Sequence, residues 1–150
     1  MTMPAEPGIV DTNVLVYALD TAAPQHTAAR ALLEAEREET AILYVTSQIL
    51  CEFYSVMTNP RRVARPRTAD EAMTVLADIM MFLHVLPVPA SASDRVLDLL
   101  RRRPVTGGDV FDLHIVATMQ ANGIGRIYTF NVADFAAFPE LTVVTPAAAP

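Results

Sequence analysis

Asp11, Glu52, Asp112 and Asp134 stand where carboxylates are least at home in this chain. Asp11 closes the apolar run Gly8-Ile9-Val10, and Asp134 lies just past a second run, Ile127-Tyr128-Thr129-Phe130. Glu52 sits between Ile49 and Val56, and Asp112 precedes Ile115, Val116 and Met119 at helical spacing. Each of these two acids therefore interrupts the apolar stripe of a helix. A buried charge without a partner is very costly, and a divalent cation is the simplest group that would neutralise all four. Only oxygen ligands occur in number, which suits Mg²⁺ or Mn²⁺ and disfavours zinc. Any one acid taken singly is also explained as a helix cap or a surface carboxylate. Asp109 fits a cap after Gly107-Gly108, and Asp134 fits the cap of a short turn. Four inward acids, two of them at strand ends, are harder to explain that way.

The elements that must position these acids alternate in type. Gly8 to Asp11 and Ala41 to Val45 read as buried strands, followed by Leu83 to Val88, Ile127 to Phe130 and an edge strand at Thr142 to Thr145. Helices fall between them. Thr12 or Asn13 caps the first, and Pro24 opens a second with Ala28, Leu32 and Ala35 on its stripe. Thr46 or Ser47 caps a third, which carries Glu52 and stops at Asn59-Pro60. Thr68 and Glu71 have capping-box spacing for a helix to about Met81. Another runs from Ser91 or Ser93 to the Arg101 cluster, and the last from Asp109 to about Asn122, with Asn122-Gly123 as its stop. Strands separated by helices imply an α/β fold: one parallel sheet, flanked by helices, in a single domain over residues 1–150 with frayed ends at about 1–6 and 146–150. Ligands in such sheets bind beyond the carboxyl ends of the strands. Asp11, Asn131 and Asp134 share that edge despite about 120 residues between them.

Composition narrows the function classes. A chain of 150 residues, 52% apolar and 19% charged, is globular and long enough for a real core. One cysteine, no basic leader and no apolar run of roughly 18 residues point to the cytoplasm, with no membrane association. The net charge of −6 argues against general capture of nucleic acid but leaves room for a local basic patch. All eleven basic residues are arginine, and Arg61, Arg62, Arg65 and Arg67 cluster in one loop, Arg101, Arg102 and Arg103 at a helix end. Arginine suits bidentate phosphate contact; a solvated loop explains the first cluster as well. Cys51 reads as a core residue, and His114, two positions from Asp112, as structural or surface.

Four segments then carry a resemblance. Asp11-Thr12-Asn13-Val14-Leu15-Val16-Tyr17-Ala18, Ser47-Gln48-Ile49-Leu50-Cys51-Glu52-Phe53 with Thr58-Asn59-Pro60, Asp112-Leu113-His114-Ile115-Val116-Ala117-Thr118, and Thr129-Phe130-Asn131 with Asp134-Phe135 resemble, in order and spacing, the motifs of PIN-domain ribonucleases. Within that family the chain looks most like the VapC toxins of VapBC toxin–antitoxin pairs. The resemblance implies a five-stranded parallel sheet, Mg²⁺- or Mn²⁺-dependent endoribonuclease activity leaving 5′-phosphate and 3′-hydroxyl ends, and inhibition by a VapB antitoxin. It also implies a homodimer, or a hetero-oligomer with that antitoxin. Asp11, Glu52 and Asp112 take the three dependable acidic positions. Asn131 stands where many relatives carry an acid, which leaves the fourth acidic role to Asp134. Asp11 and Asp112 are then expected to hold the principal ion, Glu52 and Asp134 a second ion or its water, and Thr12, Asn13 and Asn131 to support them. The arginines of the 61–67 loop are expected to contact RNA.

Two other classes compete. A Mg²⁺-dependent phosphatase is opposed by Asp11-Thr12-Asn13, which lacks the second aspartate of an Asp-x-Asp nucleophile. A binding module that keeps the fold without catalysis is kept open by Asn131 and opposed by the three intact acids.

Overall fold

A computed structural model of the chain describes residues 5–147. In chain order it contains β1 (Ala5–Val10), α1 (Thr12–Leu19), α2 (His26–Arg37), β2 (Ala41–Val45), α3 (Ser47–Thr58), α4 (Ala69–Phe82), β3 (His84–Val85), α5 (Ser91–Arg102), α6 (Asp109–Ala121), β4 (Arg126–Tyr128), α7 (Val132–Phe135) and β5 (Thr142–Val144). The strands form one sheet in the order β3-β2-β1-β4-β5, and every pairing is parallel. The α/β architecture read from the sequence is therefore the observed one.

The strand order places the site. The chain lays β2 and β3 on one side of β1, then crosses to lay β4 and β5 on the other. The crevice between β1 and β4 is thus the topological switch point, where helices leave neighbouring strands in opposite directions and open a binding site. β1 is central and its Ile9 and Val10 are completely buried, as are Leu43 and Val45 of β2 and Ile127 of β4. α1 packs on α2 and α3, α3 on α4, and α5 on α6. Among the described residues no helix is long and apolar enough to cross a membrane.

Local chemistry explains most boundaries. Thr46 caps α3 by accepting from the Ile49 N–H, and Asn59 closes it. Thr68 and Glu71 form the expected capping box of α4. Gly123, at φ 70°, ends α6 in the left-handed region that glycine enters without penalty.

Several expectations need correction. β3 is only two residues long, because Pro87 and Pro89 cannot donate to a ladder. β4 stops at Tyr128, and β1 begins at Ala5, which pairs with Ala41, so Ala5 and Glu6 belong to the strand. Residues 1–4 and 148–150 lie outside the described residues. Neither Thr12 nor Asn13 caps α1; Asp11 does, accepting from the Thr12 N–H at 2.8 Å. α2 buries Ala29 and Leu33, one position on from the expected stripe. Gly108, not Asp109, occupies the cap of α6. Cys51 is exposed rather than in the core, because α3 turns Ile49, Leu50, Phe53 and Met57 inward.

Gly8 of β1 marks a close approach: a Cβ there would lie 2.7 Å from Cε2 of Tyr128 and 3.1 Å from the Arg126 carbonyl oxygen. Tyr128 is held in place by donating to the Glu6 carbonyl oxygen at 2.9 Å. Gly8→Ala should therefore strain the β1–β4 pair and cost about 1–3 kcal/mol. The check is thermal denaturation; an unchanged Tm would show that the strands can part without penalty.

Candidate metal centre

Asp11 is the buried hub. It caps α1 at the end of the central strand and is only 7% exposed. Its Oδ1 accepts from the Thr12 N–H, and its Oδ2 accepts from Asn13 Nδ2 at 3.0 Å and Thr129 Oγ1 at 2.9 Å. Three of the four lone pairs of the carboxylate are thereby used, leaving one on Oδ1. Thr129 Oγ1 also accepts from Asn13 Nδ2 and from the Asn131 N–H, both at 3.0 Å, so its own capacity is full. Asn13 completes the set by accepting the Phe130 N–H through Oδ1 at 2.9 Å. The Phe130 ring meets Tyr17 of α1 edge-on, with ring centroids 5.3 Å apart. α1 and the turn after β4 are thus locked together across the switch point.

Glu52 is held by a second network. Its Oε2 accepts from Thr12 Oγ1 at 3.0 Å and its Oε1 from Gln48 Nε2 at 2.9 Å. Gln48 Nε2 also donates to the Phe111 carbonyl oxygen at 3.0 Å. Both amide hydrogens are therefore committed to acceptors, so Oε1 of Gln48 must accept from His114, whose Nδ1 is 2.6 Å away. That requirement assigns the proton of His114 to Nδ1.

Asp11, Glu52, Asp112 and Asp134 line one cleft of about 1160 Å³, together with Thr12, Asn13 and Asn131. Burial raises the pKa of Asp11 most; the hydrogen bonds from Thr129 and the Thr12 N–H oppose this, and the charges of Glu52 and Asp134 add to it. Asp112 is pushed up to about 7, first by burial and then by Asp11, Asp134, Glu52 and Asp109. Asp134 lies on exposed α7 yet its charge reaches both Asp11 and Asp112. Burial and, after it, repulsion among the acids favour protonation of Asp112, which is the electrostatic signature of a site short of positive charge.

Among the described residues no three His, Cys, Asp or Glu side chains are gathered into a metal-binding cluster as they stand. The donor set nonetheless fits a hard cation. Mg²⁺ needs one or two carboxylates and keeps several waters, so an open cleft lined by four acids suits it better than a closed cage would.

All four predicted acids, with Thr12, Asn13 and Asn131, therefore line one cleft. Of the arginine cluster, Arg62, Arg65 and Arg67 line the cleft and Arg61 does not. The sequence reading missed Thr129, Gln48 and His114 as parts of the site. Gln48 was detectable, since it stands four residues before Glu52 on one helix face. His114 does project away from Asp112, but toward Gln48 of α3 rather than solvent, and this correction needed the packing of α3 beside α6. Thr129 carried no signal beyond following a strand.

Comparison with known proteins agrees with this geometry. The PIN domain family model matches residues 8–141. Ribonuclease VapC24 of Mycobacterium tuberculosis is 29% identical over 130 residues, covering 86% of this chain and 89% of that protein. Ribonuclease VapC23 of the same organism is 30% identical over 122 residues, covering 81% and 90%. Among solved structures, M. tuberculosis VapC20, a sarcin-ricin-loop-cleaving toxin, superimposes with a TM-score of 0.68 at 19% identity, over 95% of this chain and 100% of that one. VapBC2 of Rickettsia felis, solved bound to a promoter DNA fragment, gives 0.67 at 17% identity over the same shares. With its acids at the carboxyl edge of a five-stranded parallel sheet, the chain belongs to the PIN-domain family and is of the VapC ribonuclease type.

Proposed function

We propose that this chain is the toxin of a VapBC-type pair, an endoribonuclease that hydrolyses RNA phosphodiester bonds with Mg²⁺ or Mn²⁺ held by Asp11, Glu52, Asp112 and Asp134. The observation that carries this reading is the convergence of four acids on one cleft, with Asp112 raised to about 7 by burial and its neighbours. The relatives named Ribonuclease VapC support the reaction class, and solved VapBC assemblies of similar fold support a VapB-type antitoxin as partner. Assembly as a homodimer, or as a hetero-oligomer with that antitoxin, is part of the same proposal. The family match gives the phosphatase reading no support.

Each residue has a part. Asp11 would hold the principal ion, while Thr129, Asn13 and the Thr12 N–H fix its carboxylate. Asp112 would be the second ligand, in its ionised form. Glu52, aimed by Thr12 and Gln48, and Asp134 hold a second ion or orient water in the cleft. Asn131 adds a neutral oxygen at the rim. A bound ion supplies a water of lowered pKa and positive charge facing the phosphate oxygens.

Three outcomes test the proposal. Asp11→Asn should abolish RNA cutting with little change in far-UV CD, and EDTA should abolish it reversibly in the parent protein; cutting that survives both would end the metal mechanism. Gln48→Leu, which removes both N–H donors, should raise the Mg²⁺ concentration for half-maximal cutting by about 10- to 100-fold. An unchanged Mg²⁺ requirement would show that Glu52 does not depend on Gln48.

The third outcome is a pH dependence. The folded pKa of Asp112 lies above its ordinary value of 3.8, so the folded state binds the proton more tightly than the unfolded state. In EDTA this contribution to stability is present at low pH and is lost as pH rises from about 4 through about 7. Tm in EDTA should fall over that window, Mg²⁺ should restore it increasingly through pH 7, and Asp112→Asn should flatten both trends. A Mg²⁺-induced Tm shift equal in parent and Asp112→Asn would place the ion elsewhere.

A further inference from the structure

The loop between α3 and α4 lines the same cleft as the acids and carries their electrostatic opposite. Arg62, Arg65 and Arg67 line the same cavity as Asp11 and Asp112. The loop is built as a fixed frame. The Asn59 carbonyl oxygen accepts from the Arg62 and Val63 N–H groups at 2.9 and 3.2 Å, and Asn59 Oδ1 accepts from the Arg61 N–H at 2.9 Å. At the far end the Arg67 N–H donates to the carbonyl oxygen of Met57, a buried residue of α3, at 2.8 Å, and Thr68 then caps α4.

Among the described residues these guanidinium groups make no ion pair. Ion pairs among the described residues use Arg30, Arg101 and Arg126, with His84 beside Glu36, and none uses the arginines of this loop. Glu71, at the start of α4, feels the charge of Arg67, but its carboxylate is committed to the capping box with Thr68. Three cations left free beside a cavity in a chain of net charge −6 are a local exception. Free guanidinium groups bind phosphate in a bidentate fashion and carry little desolvation penalty for doing so.

We propose that Arg62, Arg65 and Arg67 form a phosphate-binding strip that grips the RNA backbone beside the bond to be cut. The inference rests on the nuclease reading. A molecule that satisfies this cleft must offer several anions to the arginines and a cation-binding group to the acids that share the lining. A single-stranded polynucleotide does both, because its phosphates recur at every nucleotide. An acidic segment of a protein partner would satisfy the arginines but would meet repulsion from the acids.

Binding of a fluorescent single-stranded RNA in EDTA separates affinity from cleavage. Replacing all three arginines by Gln should weaken binding by on the order of tenfold or more at moderate salt and reduce the slope of log affinity against log salt by about 2, at roughly 0.7 per phosphate contact. Each single variant should reduce the slope by about 0.7, which keeps the test intact if the triple variant folds poorly. Replacing Arg101, Arg102 and Arg103 by Gln makes the same change in net charge and should leave affinity and slope unchanged. Equal losses in both triple variants, or no loss in the first, would overturn the strip. So would RNA binding that survives in the first variant while binding of hexaglutamate is lost, which would assign the loop to an acidic protein. RNA binding that depends on the strip in a protein that never cuts RNA with Mg²⁺ or Mn²⁺ would sink the nuclease reading and leave the strip standing.

Discussion

Everything at this site depends on keeping a carboxylate at the end of a completely buried strand. Asp11 follows Ile9 and Val10, neither of which has any exposed surface. Burial alone would drive such an acid to its neutral form. The hydrogen bonds from Thr129, Asn13 and the Thr12 backbone stabilise the ionised form, and each donor comes from an element fixed by another constraint. α1 begins where it does because Asp11 caps it, and the turn after β4 is held by the same hydroxyl that binds Asp11. The anchor of the site and the junction of α1, β1 and β4 are therefore one structure.

Around that anchor the site divides into saturated and open groups. Thr129 uses all its hydrogen-bonding capacity on the protein and Asn13 both its donors and one of its two acceptor lone pairs, so they chiefly fix geometry. Glu52 is aimed by Thr12 and by a Gln48 whose orientation is set in turn by His114. Asp112 responds instead to burial and to the charges of Asp11, Asp134 and Glu52. The cleft consequently combines an acidic wall, in which Asp11 and Glu52 are held by hydrogen bonds, with the α3–α4 arginines. The acidic wall is a concentration of repulsion that a fold optimised only for stability would not retain, and such local conflict is expected where function is lodged.

Much of this was legible in the chain. β2, the capping box at Thr68 and Glu71, the stop at Asn59-Pro60 and the end of α6 at Asn122-Gly123 are written in local chemistry and appear as read. The failures also have local causes. Proline truncated β3, and the first helix took Asp11 itself as its cap because the strand ended one residue earlier than the reading placed it. Cys51 was misplaced because an apolar type on a helix does not reveal which way the helix is turned.

The sequence by itself determined that Asp11, Glu52, Asp112 and Asp134 interrupt apolar patterns, and that strands alternate with helices in the order of a parallel sheet. Periodicity and cap chemistry act over a few residues, so a single chain displays them openly. Only the tertiary structure decided that Thr129 holds Asp11 across 118 residues, that His114 orients Gln48 across 66, and that three of the four loop arginines share a cavity with the acids. Those facts depend on strand order at the switch point and on the rotation of each helix about its axis. Both are fixed by packing between segments remote in sequence, and no local pattern encodes them.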